Sequence, residues 1–400
     1  MLRRLALLAA ALVCGAALPA ADAEPPGCPP GPTQVRAVWI ATVGNTDWPS
    51  RPGLPAADQQ REYRALLDTA VRLRLNTVVV QVRPTADAFW PSPFEPWSQW
   101  LTGTQGGDPG YDPLAFLVAE AHARGLAFHA WFNPFRVSKQ DDPARLVPDH
   151  PARVHPDWVL RHGGELYYDP GVPAAREHVM DAVMDAVVRY DVDGVHFDDY
   201  FYPYPAGEPI PDAATFARHS AGFADVGDWR RANVDLLVRG MADRIAATGR
   251  PVRFGISPFG IWRNAADDPR GSDTRGLSSY SAVYADTLTW VQRGWLDYVA
   301  PQLYWEAGHP AADYTTLVRW WAGAVAGTGV QLYVGQAAYK VGSSPAWDDG
   351  ELAEHLRINR GHPEVRGDVY FSARSLTSTA AAAMERVAAE HYAQPACPDR

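Results

Sequence analysis

From Val35 onward, short apolar runs with a two-residue alternation take turns with longer stretches whose apolar positions recur every three or four residues. The first period belongs to strands and the second to helices packed by one face. On this basis strands are predicted over 36–42, 77–83, 127–133, 194–200, 253–257, 298–304, 331–335 and 368–372. Helices are predicted between and after them, over 57–75, 113–124, 173–190, 229–247, 281–293, 314–326, 348–359 and 379–391. Asp112 is placed to cap the second helix, Pro113 to open it and Gly125 to end it. Eight strand–helix units in series predict an α/β fold, a single (β/α)8 TIM barrel.

The connections are unequal. Stretches rich in Pro and Gly follow the strands, over 84–111, 134–171, 202–228 and 258–280, whereas the returns to the next strand are short, as at 74–76 and 125–126. In such a barrel the long βα-loops build the functional face at the C-terminal ends of the strands. No linker to a second domain is apparent. The expected division is a secretory signal peptide over 1–23, a tail over 24–34, the barrel over 35–394 and a tail over 395–400. Arg3 and Arg4 precede an apolar run over 5–18 that is too short to span a bilayer, and Ala21-Asp22-Ala23 fits a cleavage site. A lipoprotein anchored through Cys14 is the alternative, weakened by the bulky Val13 before it. No later segment is apolar enough for a membrane helix, so the chain is expected to be secreted or to reside in the cell envelope.

Composition narrows the function. A formal net charge of -10 argues against a nucleic-acid partner, which would be held by an excess of Lys and Arg. The 15 Trp and 17 Tyr need a large core or a surface that stacks on ligands. Trp39, Trp48, Trp90, Trp97, Trp131, Trp262 and Trp305 all fall at or just past strand ends. Sugar rings present flat C–H faces to indoles, while their hydroxyls need planar donors and acceptors such as Asn133, Gln81 and Gln302. Plain packing is the other reading for each tryptophan taken singly.

Alternation also says which side chains enter the barrel. Gln81 and Arg83, then His129, Trp131 and Asn133, then His196 and Asp198, are predicted to point inward. So are Gln302, Tyr304 and Glu306, and Tyr370, Ser372 and Arg374 on the last strand. Asp199 has the opposite parity, unless the chain has already left the strand. A structural alternative for Asp199 is an ion pair with Arg83 or Arg136. Glycoside hydrolysis needs two carboxyl groups, one to protonate the leaving oxygen and one to attack or to activate water. Asp198 is the expected nucleophile or base, with Glu306 or Asp199 as the acid and Asp87 as a further candidate. Trp39, Asp87, Tyr200 and Trp305 complete the expected substrate contacts, Trp131 and Trp305 lining the cleft with Trp90 or Trp97 at its rim. The chain contains neither His-Glu-x-x-His nor a Gly-x-Ser-x-Gly elbow, so neither metal nor cofactor is expected.

The motifs Arg36-Ala-Val-Trp-Ile, Gln81-Val-Arg-Pro, His129-Ala-Trp-Phe-Asn-Pro, Gly194-Val-His-Phe-Asp-Asp-Tyr, Gly255-Ile-Ser-Pro-Phe-Gly and Ala300-Pro-Gln-Leu-Tyr-Trp occur in this order along the chain. The sequence resembles the glycosyl-hydrolase-10-like proteins of bacterial cell envelopes. That resemblance implies a (β/α)8 barrel and glycosidase chemistry, with Asp198-Asp199 as the carboxylate site. Some relatives are associated with cutting peptidoglycan glycan strands, including strands stripped of stem peptides. Glu306 departs from the family pattern. The expected protein is a monomeric hydrolase acting on a polysaccharide; a noncatalytic carbohydrate-binding barrel is the competing class. Cys28 and Cys397 flank the barrel, and export allows a disulfide between them; two unpaired thiols are the other reading.

Overall fold

The apolar runs become strands that are buried on both faces, as a sheet covered by helices requires. In the computed structural model, which describes residues 34–220 and 222–397, β1 (Val35–Ile40), β2 (Thr77–Arg83) and β3 (Ala127–Phe132) are buried along their whole length. They are followed by β4 (Arg136–Ser138), β5 (Val159–His162), β6 (Glu165–Tyr168), β7 (Gly194–Phe197), β8 (Arg253–Ile256), β9 (Tyr298–Val299), β10 (Gln331–Gln336) and β11 (Val365–Tyr370). Eight of these close a barrel in the order β1-β11-β10-β9-β8-β7-β3-β2, every pairing parallel. The first and last strands pair as the closed form demands, Val38 opposite Tyr370.

Helices cover the outside and follow the predicted stripes. Asp112 accepts from the amide of Ala115 at the start of Pro113–His122, and Gly125 turns the chain with φ at +72°. The helix expected over 281–293 is two pieces, Ser279–Ala282 and Thr287–Arg293. Asp286 restarts the second by accepting from Thr289. The loop over 134–171 carries a feature that the hydropathy pattern misses: β4, β6 and β5 form a small antiparallel sheet beside the barrel mouth. Strands of three or four residues are too short for alternation to stand out.

Two side-chain layers differ sharply. Val38, Ile40, Val78, Val80, Phe128, Val195, Phe197 and Ile256 pack between sheet and helices. Trp39, Val79, Trp131, Tyr298, Tyr333 and Val369 fill the barrel itself. Room for them is made by Gly255, where a Cβ would lie 2.1 Å from the ring of Tyr298. The expected parity of the last strand is reversed. Val369 packs in the barrel interior with Phe371 against it, while Tyr370 lies among the helices with its hydroxyl 2.7 Å from that of Tyr392. The sixth barrel strand is also shorter than expected. Pro301 lacks an amide hydrogen, so the ladder ends at Val299 and resumes only as isolated bridges through Gln302.

Candidate active site

Past Phe197 the chain leaves the ladder, and strict alternation lapses there. Asp198 and Asp199 therefore face the same cavity, a space of about 260 Å³ at the C-terminal end of the barrel. Trp39, Trp131, Tyr304 and Phe371 give it aromatic walls. A second cavity of about 270 Å³ adjoins it and shares Asp199, Tyr204, Gln302 and Tyr304, with Phe259 and Trp305 on its far side.

Both carboxylates are buried, Asp198 to 4 % exposure and Asp199 to 6 %. One oxygen of Asp198 accepts from the Trp131 indole at 3.0 Å and from the Asn133 amide at 3.1 Å; the other accepts from the Tyr200 backbone at 3.1 Å. Asp199 accepts from the Tyr204 hydroxyl and from the Gln302 side chain. Burial, then the neighbouring Asp199 charge, pushes Asp198 up to about 7, against the pull of Arg136 and the hydrogen bonds. Burial raises Asp199 as well. Two charges so close in a dry site repel, so the pair favours holding a proton to higher pH than an ordinary aspartate does. Such a pair can supply an acid and a base in one reaction.

The cavity also presents a donor. Gln81 is fully buried, and its carbonyl oxygen accepts from the amides of Thr42 at 3.1 Å and Val43 at 2.9 Å. This fixes the amide so that its nitrogen, on the cavity wall, has no hydrogen-bond partner in the protein. A ligand hydroxyl or carbonyl would satisfy it.

Of the residues predicted from sequence, Trp39, Gln81, Trp131, Asp198, Asp199, Tyr200, Gln302 and Tyr304 line the main cavity, and Trp305 the adjoining one. Asn133 and His196 stand behind the wall. Asn133 holds Asp198, while His196 accepts from the Trp39 indole at 3.2 Å and meets Ser257 at 2.9 Å. Burial drives His196 well below the usual histidine range, so it is neutral. Tyr298 bonds both His196 and His129, each at 2.9 Å, which places His129 in the barrel core, away from the cavity.

Six expectations are corrected. Glu306 lines neither cavity, and its carboxylate accepts from the Trp347 indole at 3.1 Å. Arg83 does not point inward: a register shift past Gln81 puts it beside Phe132 on the helix-facing side, fully buried in an ion pair with Glu95, its Nε 2.7 Å from a carboxylate oxygen. Asp87 is buried and taken by the backbone and hydroxyl of Thr85, each at 3.0 Å. Arg374 is exposed and donates to the Asn45 carbonyl at 3.0 Å, and Ser372 bonds Asp47 at 2.7 Å. Trp90 is fully buried against Asp185, and Trp97 lines a separate hollow.

Sequence reasoning left Tyr204, Ser257, Tyr339 and Phe371 out of the site, and gave Arg136 only as an ion-pair partner. The signal for Tyr204 was present: it follows Tyr200 by four residues, and the two rings stack 4.5 Å apart. Arg136 lies with its guanidinium 4.4 Å from the Tyr200 ring centre.

Comparison with known proteins assigns the barrel to a family. The profile of Glycosyl hydrolase-like 10 matches residues 34–352. The chain belongs to the Glycosyl hydrolase-like 10 family. Two similar proteins are the glycosyl hydrolase YngK of Bacillus subtilis (strain 168), 48% identical over 370 residues, and the glycosyl hydrolase DigH of Escherichia coli (strain K12), 42% identical over 378 residues. The first match covers 91% of this chain and 72% of the relative, the second 88% and 86%. Among solved structures, the glycoside hydrolase domain of PgaB (BpsB) from Bordetella bronchiseptica superposes with a TM-score of 0.56 at 15% identity, over 90% of this chain and 98% of that one. The catalytic domain of β-amylase from Paenibacillus polymyxa does so with 0.56 at 9%, over 90% and 99%. These two share the fold. By family this Glycosyl hydrolase-like 10 protein is a glycoside hydrolase.

Proposed function

We propose that the protein hydrolyses O-glycosidic bonds of an envelope polysaccharide, the glycan strands of peptidoglycan, with Asp198 and Asp199 as its acid and base. The observation that carries this reading is the pair itself. Two consecutive buried carboxyls face one aromatic-walled cavity, and burial raises both above the usual carboxylate range. A carboxylic acid kept protonated near neutrality can protonate a leaving oxygen, which an ordinary surface aspartate at pH 7 cannot. The indoles of Trp39 and Trp131 offer faces for a sugar ring, and Gln81 and Gln302 offer amides for its polar groups.

An envelope substrate accords with the expected export of the chain, and the 48% identity to a bacterial glycosyl hydrolase supports shared chemistry. Among the described residues no helix is long and apolar enough to cross a membrane. The test is direct. The mature protein is incubated with glycan strands stripped of stem peptides, and soluble fragments are separated by chromatography. The wild type releases fragments, and Asp198→Asn slows release by roughly 100-fold or more, as loss of an acid–base group does. Full activity in Asp198→Asn would remove Asp198 from the reaction. Binding of strands without fragments from the wild type would mark a noncatalytic carbohydrate-binding barrel.

A further inference from the structure

Resting on the hydrolase reading above, we infer that the bond is broken with help from the substrate: the carbonyl oxygen of a 2-acetamido group on the reacting sugar attacks its own anomeric carbon, Asp198 holding the amide N–H and Asp199 protonating the leaving oxygen. The substrate class this assigns is a 2-acetamido-2-deoxy sugar on the glycone side of the cleaved bond.

The position of the acids leads to this conclusion. A hydrolase that supplies its own nucleophile or base needs one carboxyl on each side of the sugar ring. Asp198 and Asp199 are the only acids lining either cavity among the described residues. Their Cα atoms are one peptide apart, about 3.8 Å, so both approach from the wall at the end of β7. Across the barrel from β7 stands β11, and the side chain it brings to the cavity is Phe371. The facing wall, Phe371 with Tyr339, therefore offers no carboxylate to serve as nucleophile or base, and the acetamido oxygen of the bound sugar takes that role.

The two acids are also not equivalent. Asp199 lies on both cavities, at their junction, whereas Asp198 lies on the main one alone. A bond cleaved with one sugar in each cavity has its bridging oxygen at that junction, beside Asp199. Asp198 lies away from the leaving group. Its carboxylate has about four acceptor positions, and the protein fills three, from Trp131, Asn133 and Tyr200. The remaining position suits one donor from a ligand in the cavity. An amide N–H is such a donor, and its neighbouring methyl group suits the apolar faces of Trp39 and Trp131.

The proton balance follows from the same contacts. A donated N–H favours the charged form of Asp198 and so moves the shared proton to Asp199. In the first step the acetamido oxygen forms a bond to the anomeric carbon, and the glycosidic C–O bond breaks. The leaving oxygen takes the Asp199 proton. The positive charge that develops on the amide lies against the Asp198 carboxylate. In the second step water adds to the anomeric carbon, giving its proton to Asp199, while the bond between that carbon and the acetamido oxygen breaks and restores the amide. Two displacements at one carbon leave the anomeric configuration retained.

The experiment compares denuded glycan strands with the same strands after chemical N-deacetylation, using wild-type protein, and reads the first-formed anomer by proton NMR. Cleavage of the acetylated strands with retention, and a loss of at least roughly 100-fold on the deacetylated ones, is the expected result; intramolecular attack is worth this much or more. A 2-acetamido thiazoline should also compete with the acetylated strands. Inversion, equal cleavage of both strands, or a glycosyl ester on Asp198 in the mass spectrum of quenched turnover would each overturn the inference while leaving the hydrolase reading intact. Absence of cleavage on any strand would overturn both.

Discussion

Asp198 accepts three hydrogen bonds and is still raised to about 7, because burial and the adjacent Asp199 outweigh what those bonds and Arg136 give back. In an unfolded chain an aspartate titrates near ~3.9. The folded state therefore binds this proton more tightly, and the contribution to stability is full below about pH 4 and lost as pH rises towards about 7. Activity runs the same way: kcat/KM falls as pH climbs past about 7 and the pair gives up its last proton. Tyr204→Phe removes a hydrogen bond that lowers Asp199, so the alkaline limb should move to higher pH while kcat falls roughly 10-fold, the weight of one bond to a charged group. A pH profile with an unmoved limb would place Tyr204 outside the acid–base machinery. At this scale the sequence was readable where a polar residue sits inside a regular strand, as with Gln81. It misled where polarity was taken for a site and a buried partner was out of view, as with Arg83 against Glu95. The parity of Asp199 could not be read, because it falls one residue beyond the point where the pleat stops governing direction.

Strands β3 and β7 are adjacent in register, Trp131 opposite His196, and this places the Trp131 indole within reach of the first residue past β7. That geometry was legible, since both strands alternate cleanly. Strand β11 was not. Asp368, polar and facing the helices, is satisfied by Gln336 and Asn359, each at 2.8 Å, in a buried network that includes Tyr314 and His355. Alternation assumes that polar residues seek the cavity, and a satisfied outer network defeats it. The loops divide the tryptophans in the same way. Trp48 and Trp262 are core, whereas Trp305 is half-buried on the cavity that the leaving sugar would occupy. Trp305→Ala should weaken glycan binding by about 1 kcal/mol or more in titration calorimetry, with little change in Tm. A large drop in Tm with unchanged affinity would reassign it to packing, since aromatic-to-alanine losses in a core run to about 3–5 kcal/mol.

Closure of the barrel brings the first and last described residues, Gln34 and Cys397, to one face, because β1 pairs with β11 and the final helix, Ala381–Glu390, returns to the end where β1 begins. The C-terminal segment is fastened there. Gln34 donates to the Cys397 carbonyl at 3.3 Å, Asn76 to that of Ala396 at 3.2 Å, and Arg36 to that of Gln394 at 3.0 Å. Arg74 adds bonds to Tyr392 and Ala393. Cys397 is disulfide-bonded, and Cys28, its expected partner, lies outside the described residues, as do the expected signal peptide and Cys14. That the start of β1 and the C-terminal segment share a face was legible, since any closed barrel with a helix after its last strand sends both the same way; the fastening bonds were not, because they are made largely to backbone carbonyls. A bridge from Cys28 would close a loop spanning nearly the whole chain, a constraint worth roughly 5 kcal/mol in the chain-entropy account. The fastened tail means that little of this would be lost to fraying in the folded state. The expected outcome for exported protein is one cross-linked peptide pair, Cys28 with Cys397, in non-reducing mass spectrometry. Reduction, or Cys28→Ser, should lower Tm without changing the rate on glycan strands measured well below that Tm, because the bridge lies at the face opposite Asp198. Two alkylatable thiols in the native monomer, or a mutant with the wild-type Tm, would separate Cys397 from Cys28 and leave the hydrogen bonds alone to hold the end of the chain.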